Sequence, residues 1–225
     1  GIILRIKKPL VKAYLSSLPF ELTNAQKRVI TEIYKDLANG RVVNRLVQGD
    51  VGSGKTAVSM VLLLYMLENS YQGVLMAPTE ILAVQHYLSV KDKFEKLGVR
   101  VELLTGSFTG KKKQRLLEDI ANGDVGIVIG THALIEESVV FHRLGMIIID
   151  EQHRFGVLQR KALRDKGVLA NLVVMSATPI PRSLALSIYG DLDVSVIDEL
   201  PPGRKPNFVL KWIATDEEIE TMYDL

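Results

Sequence analysis

The sequence contains no cysteine. That excludes a disulfide framework and any thiolate metal centre, and it suits a reducing compartment, so a cytoplasmic protein is expected. Long apolar runs are missing too. No stretch approaches the roughly 18 residues that span a bilayer, and the opening GIILRIKKPL lacks a signal peptide's long apolar segment and small-residue cleavage site. A soluble chain with no membrane partner is expected. Charge of one sign is also wanting: Lys+Arg 28 against Asp+Glu 26 leave a net +2. Bulk charge therefore names no polyanionic partner, and any nucleic-acid surface must come from local placement.

What is present is a core. With 47% hydrophobic residues in 225, the chain can fill one large domain, or one domain and part of another. Short apolar runs recur at RLVQ (45–48), VLMA (74–77), VRVELL (99–104), VGIVIG (125–130), GMIIID (145–150), NLVVMS (171–176) and DVSVID (193–198). Amphipathic helical stretches separate them, the pattern of crossover units on a mostly parallel sheet covered on both faces. The fold class is α/β. Gly98 after FEKL and Gly123 after EDIAN read as helix stops, and Thr79 before EILAVQHYL as an N-cap. ELPPGRKP (199–206) reads as a linker. Beyond it, residues 207–225 read as a strand and part of a helix whose start, Thr215 with Glu218, is a capping box. A start without Met and a stop within a helical pattern lead us to expect a piece of a longer protein.

The chemistry begins at GDVGSGKT (49–56), where Gly49, Gly54, Lys55 and Thr56 fit G-x-x-x-x-G-K-[ST] between a strand and an apolar helix. In this motif the loop glycines let backbone N–H groups turn toward a phosphate, and the helix start adds positive potential. Asp50, Val51, Gly52 and Ser53 complete the cradle. Lys55 is expected to reach the β/γ phosphates of ATP and the Thr56 hydroxyl to ligate Mg²⁺. A second acid belongs at a strand's C-terminal end, where open α/β sheets bind ligands. MIIIDEQH supplies Asp150 for the metal, through water, and Glu151 to position or deprotonate the attacking water, with His153 beside them.

With these residues in place, the chain resembles a superfamily 2 helicase or translocase of the DEAD/DEAH type. In order along the chain, ELTNAQ resembles its Q motif, GDVGSGKT motif I, APTEILAVQH motif Ia, GTHALI motif Ic, DEQH motif II and SATPIPRS motif III. The strings DEQHRFGVLQR, SATPIPRSLAL and YGDLDVSVIDELPPGRKP are similar to the branch that remodels stalled forks and Holliday junctions in DNA repair and recombination. The transcription-repair coupling translocases share GDVG-GKT and ATPIPR but usually carry DEEH. A non-catalytic nucleotide-gated module is a third reading, which the Asp150–Glu151 pair disfavours.

The resemblance implies a RecA-like P-loop NTPase domain and assigns further roles. Gln26 would read the adenine edge and Phe20 would pack near the base, although Thr23 and Gln26 also form an S/T-x-x-Q capping box opening AQKRVITEIYKDL. Ser176 and Thr178 would lie beside the γ-phosphate. Pro78, Thr79, Gln85, Thr131 and His132, near strand ends, suit phosphate oxygens of a DNA backbone, which carry no sequence information. The lysines of GKKKQR (110–115) either attract phosphates or form a solvated face. Residues 1–20 are then a linker or the end of a preceding domain, 21–198 the first motor lobe, 199–206 the linker, and 207–225 the truncated start of the second lobe. The catalytic arginines of motif VI in that second lobe, and the DNA-binding wedge domain, are implied partners from the same protein; after the linker the chain has 19 residues with Lys211 as their one basic side chain. The isolated piece is expected to be a poor ATPase.

Overall fold

The computed structural model of the chain describes residues 10–49, 54–151, 161–162, 165–167, 170–177 and 193–197, with Glu151 through its backbone. All seven expected strands form: β1 (Asn44–Gly49), β2 (Gln72–Met76), β3 (Val101–Leu104), β4 (Ile127–Gly130), β5 (Leu144–Glu151), β6 (Asn171–Ser176) and β7 (Asp193–Ile197). They make one sheet in the order β3-β4-β2-β5-β6-β1-β7, with every pairing parallel. Two helices, α1 (Leu10–Ser17) and α2 (Asn24–Ala38), precede β1, and between the strands lie α3 (Lys55–Glu68), α4 (Glu80–Lys96), α5 (Lys111–Asn122) and a 3-10 turn at His132–Ile135.

Both faces of the sheet are apolar because successive strand residues point opposite ways. Val47, Leu75, Ile148, Val173 and Met175 join the core under α1 to α4, while Leu46, Val74, Met76, Ile147, Ile149 and Val174 join the core under α5. Helix α3 is buried on nearly all sides, from Ala57 through Met66, so its sequence is apolar without an amphipathic stripe. The N-cap and stop signals operate as expected. Thr79 accepts from the Leu82 N–H at 3.3 Å, and Gly98 and Gly123 take φ of +78° and +84°.

Residues 10–17, which lie within the stretch expected as a linker or preceding domain, form a helix docked on the lobe. Tyr14 of α1 is 4% exposed and meets Phe94 of α4 edge-on, with ring centroids 5.8 Å apart. Glu68, at the end of α3, accepts a hydrogen bond from the Val11 N–H at 3.0 Å and so serves as a cap from another helix for the start of α1. Expected elements at 207–225 fall outside the described residues.

Candidate nucleotide and DNA site

Strand order sets the site. The chain leaves β1 and crosses β6 and β5 to reach β2, so the ends of β1, β6 and β5 border one crevice at a topological switch. Register aligns Val47 with Met175 and Met175 with Asp150, placing the start of the glycine-rich loop and the acidic strand end at nearly one level. Gly54 then takes φ +83°, a left-handed conformation that a side chain would disfavour, and opens α3. The next two residues are Lys55, half-buried, and Thr56, exposed.

Lys55, Thr56, Ser59, Leu75, Leu82, His86, Asp150, Met175 and Ala177 line a cavity of about 170 Å³. The structure therefore brings together Lys55, Thr56 and Asp150, three residues separated by nearly a hundred positions. Ser176 ends β6, buried at 4% exposure and in register with Glu151. Gly49 ends β1 beside Ile197. Asp50, Val51, Gly52, Ser53, His153 and Thr178 lie outside the described residues, as does the side chain of Glu151.

Gln26 is fully buried, and its amide joins two elements. Oε1 accepts from the Thr23 N–H at 2.8 Å, with Thr23 Oγ1 accepting from the Gln26 N–H at 3.2 Å, which completes the capping box. Nε2 donates to the Gly54 carbonyl at 3.1 Å. The same side chain thus also holds Gly54, the residue that opens α3. Phe20, half-buried, lines a separate hollow of about 580 Å³ with Leu15, Leu18, Leu22 and Lys27.

The expected DNA contacts gather on neighbouring strand ends. Met76 pairs with Gly130, and the Ala77 N–H donates to the Gly130 carbonyl at 2.8 Å, so Pro78–Thr79 and Thr131–His132 emerge side by side. Thr79, Gln85 and His132 are exposed; Pro78 and Thr131 are half-exposed. Thr79 spends its hydroxyl on the α4 cap, whereas Thr131 makes no side-chain cap bond. Lys113 pairs with Glu136 at 3.1 Å, and that lysine is committed to a protein partner.

Sequence reasoning missed His86. Its Nε2 lies 2.7 Å from Asp150 Oδ2, and both side chains are about four-fifths buried, at 18% and 20% exposure. A histidine four positions after Leu82, on the helix face turned toward the sheet, was the available signal; its contact with a residue 64 positions away was not readable.

The DEAD/DEAH box helicase model matches residues 23–186, nearly three-quarters of the chain. The chain belongs to the DEAD/DEAH box helicase family. Among members of that family it is 53% identical over 205 residues to the ATP-dependent DNA helicase RecG of Thermotoga maritima, covering 91% of this chain and 26% of the relative. It is also 53% identical to the RecG of Bacillus subtilis over 91% of this chain and 30% of that protein. A solved structure of RecG bound to a three-way DNA junction superposes with a TM-score of 0.78 at 49% identity, covering 91% of this chain and 27% of that one. The chain thus spans somewhat over a quarter of the length of the helicase relatives it matches. The parallel seven-stranded sheet is the RecA-like fold of these helicases.

Proposed function

We propose that this chain is the ATP-binding motor lobe of a RecG-like DNA helicase, which remodels replication forks and Holliday junctions. The observation that carries the reading is the convergence of Lys55, Thr56 and Asp150 on one cavity at the ends of β1 and β5. Residues 21–198 form the lobe, with α1 packed on it, followed by a linker and the start of a second lobe.

The residues present fit a magnesium nucleotide. A helix start, an ammonium, a hydroxyl and a carboxylate face the same space, which matches a phosphate chain and a hard, oxygen-seeking cation. Magnesium is commonly held by one or two protein groups together with substrate phosphates and water, and Thr56 and Asp150 supply such a pair on the cavity wall. When bound, the cation would neutralise charge developing on the transferred phosphoryl group. The chain's own part is to orient: Lys55 offsets phosphate charge, Thr56 and Asp150 hold the metal, and Glu151 positions the attacking water. Phosphoryl transfer depends mainly on such positioning and charge neutralisation.

Adenine recognition by Gln26 would require its Nε2 to leave the Gly54 carbonyl. Pro78, Thr79, Gln85, Thr131 and His132 would contact the DNA backbone, which gives tracking without base specificity. Arginines of the second lobe would complete the ATPase, so the 225-residue chain alone should turn over ATP slowly.

The test is ATP hydrolysis by the intact protein with forked, linear duplex and single-stranded nucleic acid, with Lys55→Ala alongside. Fork-stimulated hydrolysis that Lys55→Ala abolishes, with junction binding retained, is expected. Fork unwinding by Lys55→Ala would overturn the reading.

A further inference from the structure

Asp150 has a partner that the nucleotide-site reading leaves without a role. A carboxylate oxygen only accepts, so the hydrogen in the 2.7 Å contact is carried by His86 Nε2. This engages Oδ2, and Asp150 also lines the cavity with Lys55 and Thr56. The histidine is itself held firmly. Helix α4 buries Ala83, Val90 and Phe94 at 0–3% exposure in the core, and the Thr79 hydroxyl caps its first turn. Leu82, one turn before His86, lines the same cavity. His86 therefore reaches Asp150 from a rigid element rather than a loop, and a fixed donor on one carboxylate oxygen sets the rotation of the whole group.

We propose that His86 is a positioning residue that holds the Asp150 carboxylate in the orientation required for magnesium in the nucleotide cavity. The inference rests on the proposed nucleotide site and adds a residue to it. Groups that hydrogen-bond a metal's carboxylate ligands orient them, and their loss commonly weakens metal affinity about 10- to 100-fold.

The test measures binding of a fluorescent ATP analogue to the intact protein while Mg²⁺ is varied, for the native protein, His86→Ala and His86→Gln. His86→Ala should raise the half-saturating Mg²⁺ concentration roughly tenfold or more, with metal-free nucleotide binding unchanged. His86→Gln, whose side-chain amide can donate to the same oxygen, should restore most of the native response. Equal weakening of binding with and without Mg²⁺ would mark a merely structural histidine and overturn the proposal. An unchanged Mg²⁺ response in His86→Ala would overturn it as well. A lower Mg²⁺ requirement would show that the histidine competes with the metal, again against the proposal. Should the native protein itself show no Mg²⁺-dependent nucleotide binding, the cavity's assignment falls first and this role goes with it.

Discussion

Gln26 Nε2 donates to the carbonyl of Gly54 at 3.1 Å, tying the start of α2 to the start of α3 across 28 positions of sequence. The same side chain, through Oε1, satisfies the Thr23 N–H. One buried amide therefore sets both the entry to α2 and the exit from the glycine-rich loop. Separating the two duties is straightforward in chemistry. Gln26→Glu keeps an oxygen for Thr23 but turns a second oxygen toward the Gly54 carbonyl. Nucleotide affinity should fall roughly tenfold, the scale of one lost buried hydrogen bond plus repulsion. Gln26→Ala removes the cap as well and should lower stability by about 1–3 kcal/mol. Fluorescent-nucleotide titration and denaturant melts of both variants separate the effects; unchanged affinity in Gln26→Glu would dissociate the loop from α2.

Glu68 gives a pH-dependent prediction. Burial raises its carboxyl pKa above the usual 4.5, an effect that hydrogen bonds from the Val11 and Leu10 N–H groups partly offset. The folded state thus holds this proton more tightly than the unfolded chain. Its contribution to stability is fully present below pH 4.5 and is lost as pH rises through the raised value. Glu68→Gln imitates the neutral acid and retains an acceptor for Val11. The variant should melt with the native protein at low pH and above it at neutral pH. Thermal melts across that range check the sign, and a native protein more stable than Glu68→Gln at neutral pH would refute it.

How much of this was legible depended on the range of the interaction. The strands and helix caps are local, fixed by alternation of apolar residues and by Thr23, Thr79, Gly98 and Gly123, and they were readable. Lys55, Thr56 and Asp150 were readable as well, because their types and spacing carry chemistry that the fold then unites. The docking of α1 was not, since it depends on Tyr14 meeting Phe94 and on Glu68 reaching Val11 across 57 positions. His86 was hidden for the same reason. Its neighbour Gln85, expected to meet a DNA backbone, is exposed, while His86, the next residue along the helix, faces the acid.

Gln72 stabilises the far end of the sheet from the cavity. The residue is 4% exposed. Its Oε1 accepts from the His142 and Arg143 N–H groups at 2.8 and 2.9 Å, and Nε2 donates to the Ile120 and Val125 carbonyls, both at 2.9 Å. The residue stands at the register shift where β2 begins to pair with β5. Gln72→Leu matches its size but removes a side-chain partner from four backbone groups at once; the Ile120 carbonyl keeps the Gly123 N–H at 3.2 Å, while the His142 and Arg143 N–H groups and the Val125 carbonyl lose theirs, a costly change without water. A loss of about 3–5 kcal/mol is expected in urea unfolding. Nucleotide affinity of the folded variant should not change, because Gln72 lines none of the cavity.

Thr131 and Gln85 offer the cleanest test of the backbone-tracking face, because neither side chain holds a helix together. Thr131 makes no cap bond and Gln85 is exposed, whereas Thr79 also caps α4. Thr131→Val and Gln85→Ala should leave the melting temperature nearly unchanged. Each should weaken fork binding by about tenfold to a hundredfold, the scale of one hydrogen bond to a charged phosphate. Since phosphates carry no base identity, the loss should be the same on two forks of unrelated sequence. Thr79→Ala should instead lose both DNA affinity and about 1 kcal/mol of stability from the vacated cap. Fluorescence anisotropy at one fixed salt concentration measures the binding. A loss confined to one sequence would mean that these residues read bases, and unaltered binding in both variants would remove this face from the DNA path.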